Sequence, residues 1–341
     1  MNIIITGGRG FIGSNLVKKA IEKGHKVGIL DAGLIGANAL LSVISPSQMD
    51  VECVNQFCNI NNPETVSKSI DEIELIIGKT DCIIHLAAET HVDRSISNSK
   101  PFVETNVGGT MNMLEETMKR GISKFVHMST DEVYGALQGD SKSSKETDAF
   151  RPSSPYSASK AGGELLAMSY FVTHKLPVLV VRSSNNFGPL QYHEKLVPLM
   201  IKNALADIQL PVYGEGKNIR DWLYVEDCAN ALLLIAEKGK IGEAYNIGSG
   251  GNNEKENIHV VKTLLSLLKK PESLIKFVED RKGHDFRYSV CIDKIKEELG
   301  WSPAVSFEAG LEKTVNYYLT RYNEDVEKKK LSERFKRKAV S

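Results

Sequence analysis

No C-x-x-C pair and no zinc-like spacing occurs among the five cysteines, Cys53, Cys58, Cys82, Cys228 and Cys291, which are scattered and odd in number. That argues against a disulfide framework or a metal site and reads as reduced cytosolic thiols, most of them small core residues. Neither sign of charge is in excess: 43 Lys and Arg balance 43 Asp and Glu. No basic face is demanded, so nucleic acid is not an implied partner. No apolar run approaches the ~20 residues of a membrane span. The chain opens directly on a strand-like stretch, Asn2 to Thr6, with no signal-type segment before it. No internal repeat is found. We therefore expect a soluble, cytoplasmic protein, not membrane-bound, of 341 residues, long enough for one large domain or two smaller ones.

What is present begins at residue 3. Ile3-Ile4-Ile5 passes into Thr6-Gly7-Gly8-Arg9-Gly10-Phe11-Ile12-Gly13, a helix pattern from Ser14 to Lys23 follows, and His25 to Asp31 is a second strand ending in an acid. Strand, glycine turn, helix, strand and acid make a mononucleotide-binding βαβ unit. Gly7 and Gly10 let the backbone turn tightly beneath a pyrophosphate, and Gly13 lets the helix approach the sheet. The helix N-terminus then presents free N–H groups to the anion. Asp31 can accept hydrogen bonds from both ribose hydroxyls of an adenosine, and its charge would repel a 2′-phosphate, which favours NAD over NADP.

Further on, residues 32–50 read as a loop with a short helix, and Val51 to Phe57 as a third strand. A helix from about Asn62 to Ile77 and a buried strand from Asp81 to Ala88 follow. A long helix is expected from about Pro101 to Arg120, a fifth strand over Phe125 to Met128, a surface loop over 136–150, a helix from Tyr156 to about His174, and a sixth strand over Pro177 to Arg182. Beyond that, short interrupted segments suggest a smaller C-terminal lobe. We expect an α/β fold: a Rossmann-type doubly wound parallel sheet over residues 1–183, an interleaved substrate-binding lobe over 184–322, and a charged tail, a solvated helix end or frayed segment, over 323–341.

Two clusters carry chemistry. Ser129-Thr130-Asp131-Glu132 follows the fifth strand, at the edge where an open α/β sheet places its ligands. A hydroxyl beside two carboxylates suits a site that removes one proton and delivers another; read alone, it is equally a helix cap with a solvated Glu. Tyr156 and Lys160 are four apart on one helix and share a face. A cation one turn away should lower the Tyr pKa from about 10, making Tyr156 a base for an alcohol while a hydride leaves the same carbon. Thr130 and Tyr156 suffice for that. Asp131 and Glu132 make sense if a second reaction follows: a ketone acidifies the neighbouring C–H, one carboxylate removes that proton, and the other helps expel a β-hydroxyl as water. Return of the hydride would leave NAD unchanged and bound.

At this point the sequence resembles the nucleotide-sugar 4,6-dehydratases of the extended short-chain dehydrogenase/reductase superfamily, dTDP-glucose 4,6-dehydratases most of all. The likeness lies in the glycine turn, Leu86 to Ser95 (LAAETHVDRS), Ser129 to Gly135 (STDEVYG), Pro152 to Ala161 (PSSPYSASKA), Ser184 to Pro189 (SNNFGP), Arg220 to Asp227 (RDWLYVED), Asp280 to Tyr288 (DRKGHDFRY) and Glu298 to Pro303 (ELGWSP). It implies that Tyr156 abstracts the sugar 4-hydroxyl proton, aided by Thr130 and Lys160, that Glu132 takes the C5 proton, and that Asp131 protonates the departing 6-hydroxyl. It implies NAD contacts at Gly7, Gly10, Phe11, Ile12, Gly13, Asp31, Asn59, Ile60, Leu86, Ala87, Ala88, Thr90, Thr105, Tyr156, Lys160 and Asn186. Substrate contacts are implied at Thr90, Thr130, Asn185, Lys195, Leu196, Pro211, Tyr213, Arg220, Asn257, Arg281 and His284. Arg220 and Arg281 suit a diphosphate as fixed guanidinium forks. The resemblance also implies a homodimer through helices at about Pro101 to Arg120 and Tyr156 to His174.

The sequence departs from the family at Ala32 to Asn38, where a Lys-Leu-Thr-Tyr-Ala-Gly-Asn-like run is usual, and at Asn59, commonly Asp. It also places Gly162 and Gly163 inside a helix, at roughly 1 kcal/mol each against Ala. The same reaction on UDP-glucose or UDP-GlcNAc, an NDP-sugar 4-epimerase needing no acid pair, and a non-catalytic NAD-binding scaffold are the competing readings.

Overall fold

The chain is described here by a computed structural model covering residues 1–33, 53–139, 141–281 and 283–338. Its first strand, β1 (Asn2–Thr6), carries Ile3, Ile4 and Ile5, all fully buried. A strand apolar on both faces has to lie inside a sheet covered on both sides. β1 pairs in parallel with β2 (Lys26–Asp31) and with β4 (Cys82–His85). β3 (Cys53–Phe57) extends the sheet beyond β2, while β5 (Lys124–Thr130), β6 (Val178–Ser183) and β10 (Ala244–Ile247) extend it beyond β4. The order β10-β6-β5-β4-β1-β2-β3 is parallel throughout and reverses direction between β1 and β4. The expected doubly wound Rossmann-type sheet is thus formed, and its switch point opens a crevice at the carboxyl ends of β1 and β4. β10 comes from beyond residue 184, so the C-terminal half completes the sheet.

The pleat sorts the core into two layers. Ile3, Ile5, Val126 and Val181 pack against α1 (Phe11–Glu22), α8 (Val225–Lys238) and α10 (Asp293–Leu299). Ile4, Ile83, Phe125 and Val180 pack against α2 (Pro63–Ile77), α5 (Thr110–Arg120) and α6 (Pro155–His174). The start of α2 is fixed by Asn62, whose Oδ1 accepts from Glu64 N at 3.0 Å and Thr65 N at 3.1 Å. The smaller lobe holds β7 (Asn185–Phe187), β9 (Ile219–Tyr224) and β11 (Glu254–Glu256) in one sheet, and β8 (Leu210–Tyr213) with β12 (Ile275–Val278) in another. They surround a core shared with α7 (Leu196–Leu205), α9 (Asn257–Leu268) and α11 (Phe307–Lys338), in which Phe187 lies 5.9 Å from Trp222 and 5.4 Å from Phe307, centroid to centroid.

Of the boundaries that differ from the sequence expectation, three have a clear local reason. α1 starts at Phe11, earlier than Ser14, because the glycine turn hands the chain straight into the helix: Ser14 N donates to Gly10 O at 2.8 Å. β4 stops at His85 instead of Ala88, since the amides of Leu86 and Ala87 turn to the Thr6 hydroxyl at 3.1 and 3.0 Å. The helix expected over Pro101 to Arg120 is broken into α4 (Lys100–Val103), a π-helical turn at Glu104–Gly109 and α5, with α3 (Val92–Ser97) before it. That turn explains Gly163: a Cβ there would sit 2.3 Å from Asn106 O. The loop and short helix expected within 32–50, like Val51 and Glu52 of the third strand, fall outside the described residues except for Ala32 and Gly33. The charged tail continues as helix to Lys338.

Candidate active site

The glycine turn forms one end of a cavity of about 750 Å³ that runs across the carboxyl edge of the sheet into the smaller lobe. Gly7 has φ of +67°, and Gly10 N donates back to Gly7 O at 3.0 Å. A Cβ on Gly13 would lie 2.1 Å from Gly7 O, so only glycine allows α1 to come this close. The first N–H groups of α1 have no partner within the helix and face an anion's position. At the end of β2, Asp31 is buried; its Oδ2 accepts from Arg9 N at 2.9 Å and its Oδ1 from Gly33 N at 2.8 Å. Asn59 Oδ1 accepts from Asn61 N at 3.0 Å, and Asn61 reaches the Thr105 hydroxyl at 3.2 Å. This cradle of backbone and small residues fits a dinucleotide. All residues expected to contact the cofactor line the cavity: Gly7, Gly10, Phe11, Ile12, Gly13, Asp31, Asn59, Ile60, Leu86, Ala87, Ala88, Thr90, Thr105, Tyr156, Lys160 and Asn186.

The π-turn ties this end to the tyrosine helix. Asn106 Oδ1 accepts from Glu89 N at 2.9 Å, while its Nδ2 donates to Glu89 O at 3.0 Å and to Ser159 Oγ at 2.9 Å. Ser159 Oγ in turn donates to Tyr156 O at 2.7 Å. Asn106 is buried, so its amide has no water to compete with these bonds.

Thr130 ends β5, and Asp131 and Glu132 open a single 3-10 turn, Asp131–Tyr134. Thr130 does cap that turn, accepting from Glu132 N at 3.3 Å, but neither acid is a solvated bystander: both line the cavity with Tyr156 and Lys160. Their surroundings are unequal. Asp131 is pushed well up by burial, then by Glu132 and by Asp221, a buried acid of β9. Glu132 is raised by burial too, but Arg220, Arg281 and Lys195 all pull it back. Of the pair, Asp131 is pushed further toward its protonated form; Arg220 supports the charge of both, and Arg281 and Lys195 add to that support at Glu132.

Tyr156 is buried and lines the cavity with Thr130. Contrary to the expectation from the Tyr/Lys spacing, its pKa is raised, by burial first and then by the Glu132 charge; the Lys160 ammonium instead donates to Met128 O at 2.5 Å. Burial brings Lys160 itself down to about 8. Unpartnered buried side-chain atoms gather along the same cavity, among them Ser129 Oγ, Asp131 Oδ2, Asn185 Oδ1, Asn186 Oδ1 and Arg281 Nε. Buried polar atoms left without partners are costly, and here they converge on space for a polar ligand.

Comparison with known proteins shows the family. The model of the GDP-mannose 4,6 dehydratase family matches residues 4–314. The chain belongs to that family. It is 43% identical to the dTDP-glucose 4,6-dehydratase of Neisseria gonorrhoeae over 93% of this chain and 95% of the relative. The dTDP-glucose 4,6-dehydratase of Streptomyces venezuelae, crystallised with NAD, superposes with a TM-score of 0.86 at 40% identity, covering 94% of this chain and 97% of that one. That of Bacillus anthracis, also in complex with NAD, gives 0.83 at 42% with the same coverage.

Of the substrate contacts expected for such a 4,6-dehydratase, Thr90, Thr130, Asn185, Lys195, Arg220 and Arg281 line the cavity, whereas Leu196, Pro211, Tyr213, Asn257 and His284 do not. Leu196 packs on the lobe core, and Pro211 is paired with Lys276 across β8 and β12. Asn257 starts α9, its N–H donating to Asn218 O at 2.9 Å. The Tyr213 hydroxyl meets Asp93, and its ring lies edge-on to His284, 6.1 Å away; Asp93 is also 3.8 Å from Arg281. These two therefore stand behind Arg281. Nor is Arg220 an open fork. It is buried, stacked 4.7 Å from the Tyr288 ring centre, and donates to the carbonyls of Ile219, Phe286 and Asp285.

Sequence reasoning passed over Asp221 and Tyr288, although both stand inside the motifs that carry the family likeness. It also passed over Glu194, which lines the cavity beside Lys195 and holds Arg94 at 2.6 Å. Its signal was faint, a single acid before a basic residue; only the fold brings Arg94 to it.

Proposed function

We propose that this chain is a nucleotide-sugar 4,6-dehydratase acting on dTDP-glucose, converting it to the 4-keto-6-deoxy sugar with loss of water and NAD regenerated. The observation that carries the reading is the pair Asp131 and Glu132, unequal in charge environment, in one cavity with Thr130, Tyr156 and Lys160. An epimerase has no work for that pair. The curated relatives named dTDP-glucose 4,6-dehydratase support the nucleotide.

In this reading Gly7 to Gly13, Asp31, Asn59, Ile60 and the 86–90 loop hold NAD, which, when bound, takes up and later returns the electron pair of the sugar C4–H bond. Thr130 and Tyr156 hold the 4-hydroxyl. Tyr156 must lose its proton to act as base, and the buried Lys160 charge favours that loss. The C4 ketone acidifies C5. Glu132, flanked by Arg220, Arg281 and Lys195, takes the C5 proton; Asp131, kept protonated, delivers a proton to the 6-oxygen as its bond to carbon breaks. The lobe over 184–322 binds the substrate through Asn185, Lys195 and Arg281. Arg220, whose donors are largely committed to carbonyls, contributes its charge.

A homodimer through α4–α5 and α6 is part of the proposal. Val103, Met111 and Met118 on one side and Leu165 and Val172 on the other are exposed large apolar residues on these packed helices. Cytoplasmic placement is likewise proposed; among the described residues no helix is long and apolar enough to cross a membrane.

The test is incubation of the purified protein with dTDP-glucose, UDP-glucose, UDP-GlcNAc and CDP-glucose, with mass measurement of the products. Loss of one water from dTDP-glucose first and fastest is expected. Retention of every sugar oxygen in all four would sink the reading.

A further inference from the structure

Tyr134 closes the 3-10 turn that Asp131 and Glu132 open, yet it does not line the cavity. Its hydroxyl accepts from Arg182 Nη1 at 2.6 Å and donates to Asn246 Oδ1 at 2.7 Å. Arg182, on β6, is buried with its guanidinium carbon 5.1 Å from the centre of the Tyr134 ring and 4.8 Å from that of Phe150. The other edge of the same guanidinium grips Glu164, Nε at 2.8 Å and Nη2 at 2.5 Å from Oε1. Glu164, also buried, follows Lys160 by four residues on α6 and so lies on the same face one turn later. Neither Arg182 nor Glu164 lines the cavity.

We propose that Arg182 is a positioning residue shared by the two halves of the catalytic machinery: through Tyr134 it fixes the turn bearing Asp131 and Glu132, and through Glu164 it fixes the helix bearing Tyr156 and Lys160. A buried ion pair adds little net stability, because desolvation offsets the attraction. What this one supplies is a rigid planar fork with two occupied edges. Oxidation at C4 uses the helix; proton removal from C5 and departure of the 6-oxygen use the turn. The two sets must meet one hexose at one spacing, and this clamp joins them. The inference rests on the 4,6-dehydratase reading.

The deciding variant is Tyr134→Phe, which keeps the ring against Arg182 and removes only the hydroxyl. Glu164→Gln, which keeps an acceptor for Arg182, probes the other arm. Both are compared with the parent chain on dTDP-glucose, quenched with borodeuteride and weighed. Sugar that was oxidised without losing water gains one deuterium and keeps its 6-oxygen. In Tyr134→Phe, kcat should fall on the order of tenfold with KM little changed, and the oxidised but undehydrated share should rise severalfold. Amide hydrogen exchange over 131–135 should quicken while that of β1 and α1 stays at the parent's rate.

A parent that removes no water from any nucleotide sugar sinks the reading and not the clamp, whose exchange signature would still be measured. A working parent whose Tyr134→Phe variant partitions products as the parent does overturns the clamp. So does a variant that merely melts earlier and exchanges faster everywhere.

Discussion

The two walls of the cavity are built by different means. The glycine wall is local and steric: Gly7, Gly10 and Gly13 stand within one turn, and its shape follows from where a Cβ would collide. The acid wall is assembled at long range and is electrostatic. Asp131 and Glu132 are adjacent in sequence, but Lys195, Asp221 and Arg281, which make them unequal, come from three separated segments of the lobe. One wall should therefore be broken by adding a methyl group, the other by removing an acid.

Removing either acid should have the larger effect. Glu132→Gln and Asp131→Asn should each lower turnover by roughly 10²- to 10⁴-fold, the range of a lost general base or acid. Solvent deuterium separates them. Asp131→Asn should still exchange the sugar C5 hydrogen without losing water, whereas Glu132→Gln should do neither. Equal exchange in both variants would mean that the two carboxylates do not divide the work as their surroundings indicate.

Adding a methyl comes next. In Gly13→Ala the new carbon would lie 2.1 Å from Gly7 O, with backbone on both sides. Overpacking of this kind costs about 1–3 kcal/mol, so NAD affinity, read by titration, should weaken by roughly ten- to a hundredfold. Parent-like affinity would show that the turn yields, and the steric account of this wall would fail.

The same difference explains what could be read from the sequence. The βαβ unit was legible because every piece of it is a neighbour in the chain, and each cofactor residue expected from it lines the cavity. The Tyr156–Lys160 spacing was legible as a shared helix face but not as an electrostatic fact. Helix periodicity does not say that the ammonium will settle on Met128 O, nor that burial and Glu132 will dominate the phenol. Gly163 looked like a liability until the π-turn brought Asn106 O against it. Arg220 looked like a free fork because the carbonyls of Asp285 and Phe286, far along the chain, are invisible from its own motif.

The acid wall should also answer to pH, where the glycine wall offers nothing to titrate. Lys160, buried, is brought down to about 8. Its ammonium is present below that value and lost as pH rises through it, so turnover should fall by up to about tenfold per unit above it. Lys160→Arg, slower overall, should lose this limb because a guanidinium stays charged. At the acid end, burial raises the pH at which the Glu132 carboxylate loses its charge, so turnover should decline sooner on acidification than an exposed Glu would dictate. A rate profile flat across neutral and mildly alkaline pH would break the link between Lys160 and Tyr156.

The smallest effect is expected where the lobe stands behind the acid wall. Tyr213 is exposed, lies outside the cavity lining, and touches it only through Asp93, which sits 3.8 Å from Arg281. Tyr213→Phe removes the hydroxyl and leaves the ring edge-on to His284. An exposed contact of this kind is worth under about 1 kcal/mol, so KM for the nucleotide sugar should rise roughly threefold at most, with kcat unchanged. Nothing in the acid pair's surroundings depends on that hydroxyl: Glu132 is held by Arg220, Arg281 and Lys195, and Tyr213 acts on the last-placed of these, Arg281, at one remove. A fall in kcat in this variant would mean that the electrostatic wall reaches further into the lobe than its lining residues suggest, and that the Arg281 guanidinium owes its place to Asp93 and Tyr213 together.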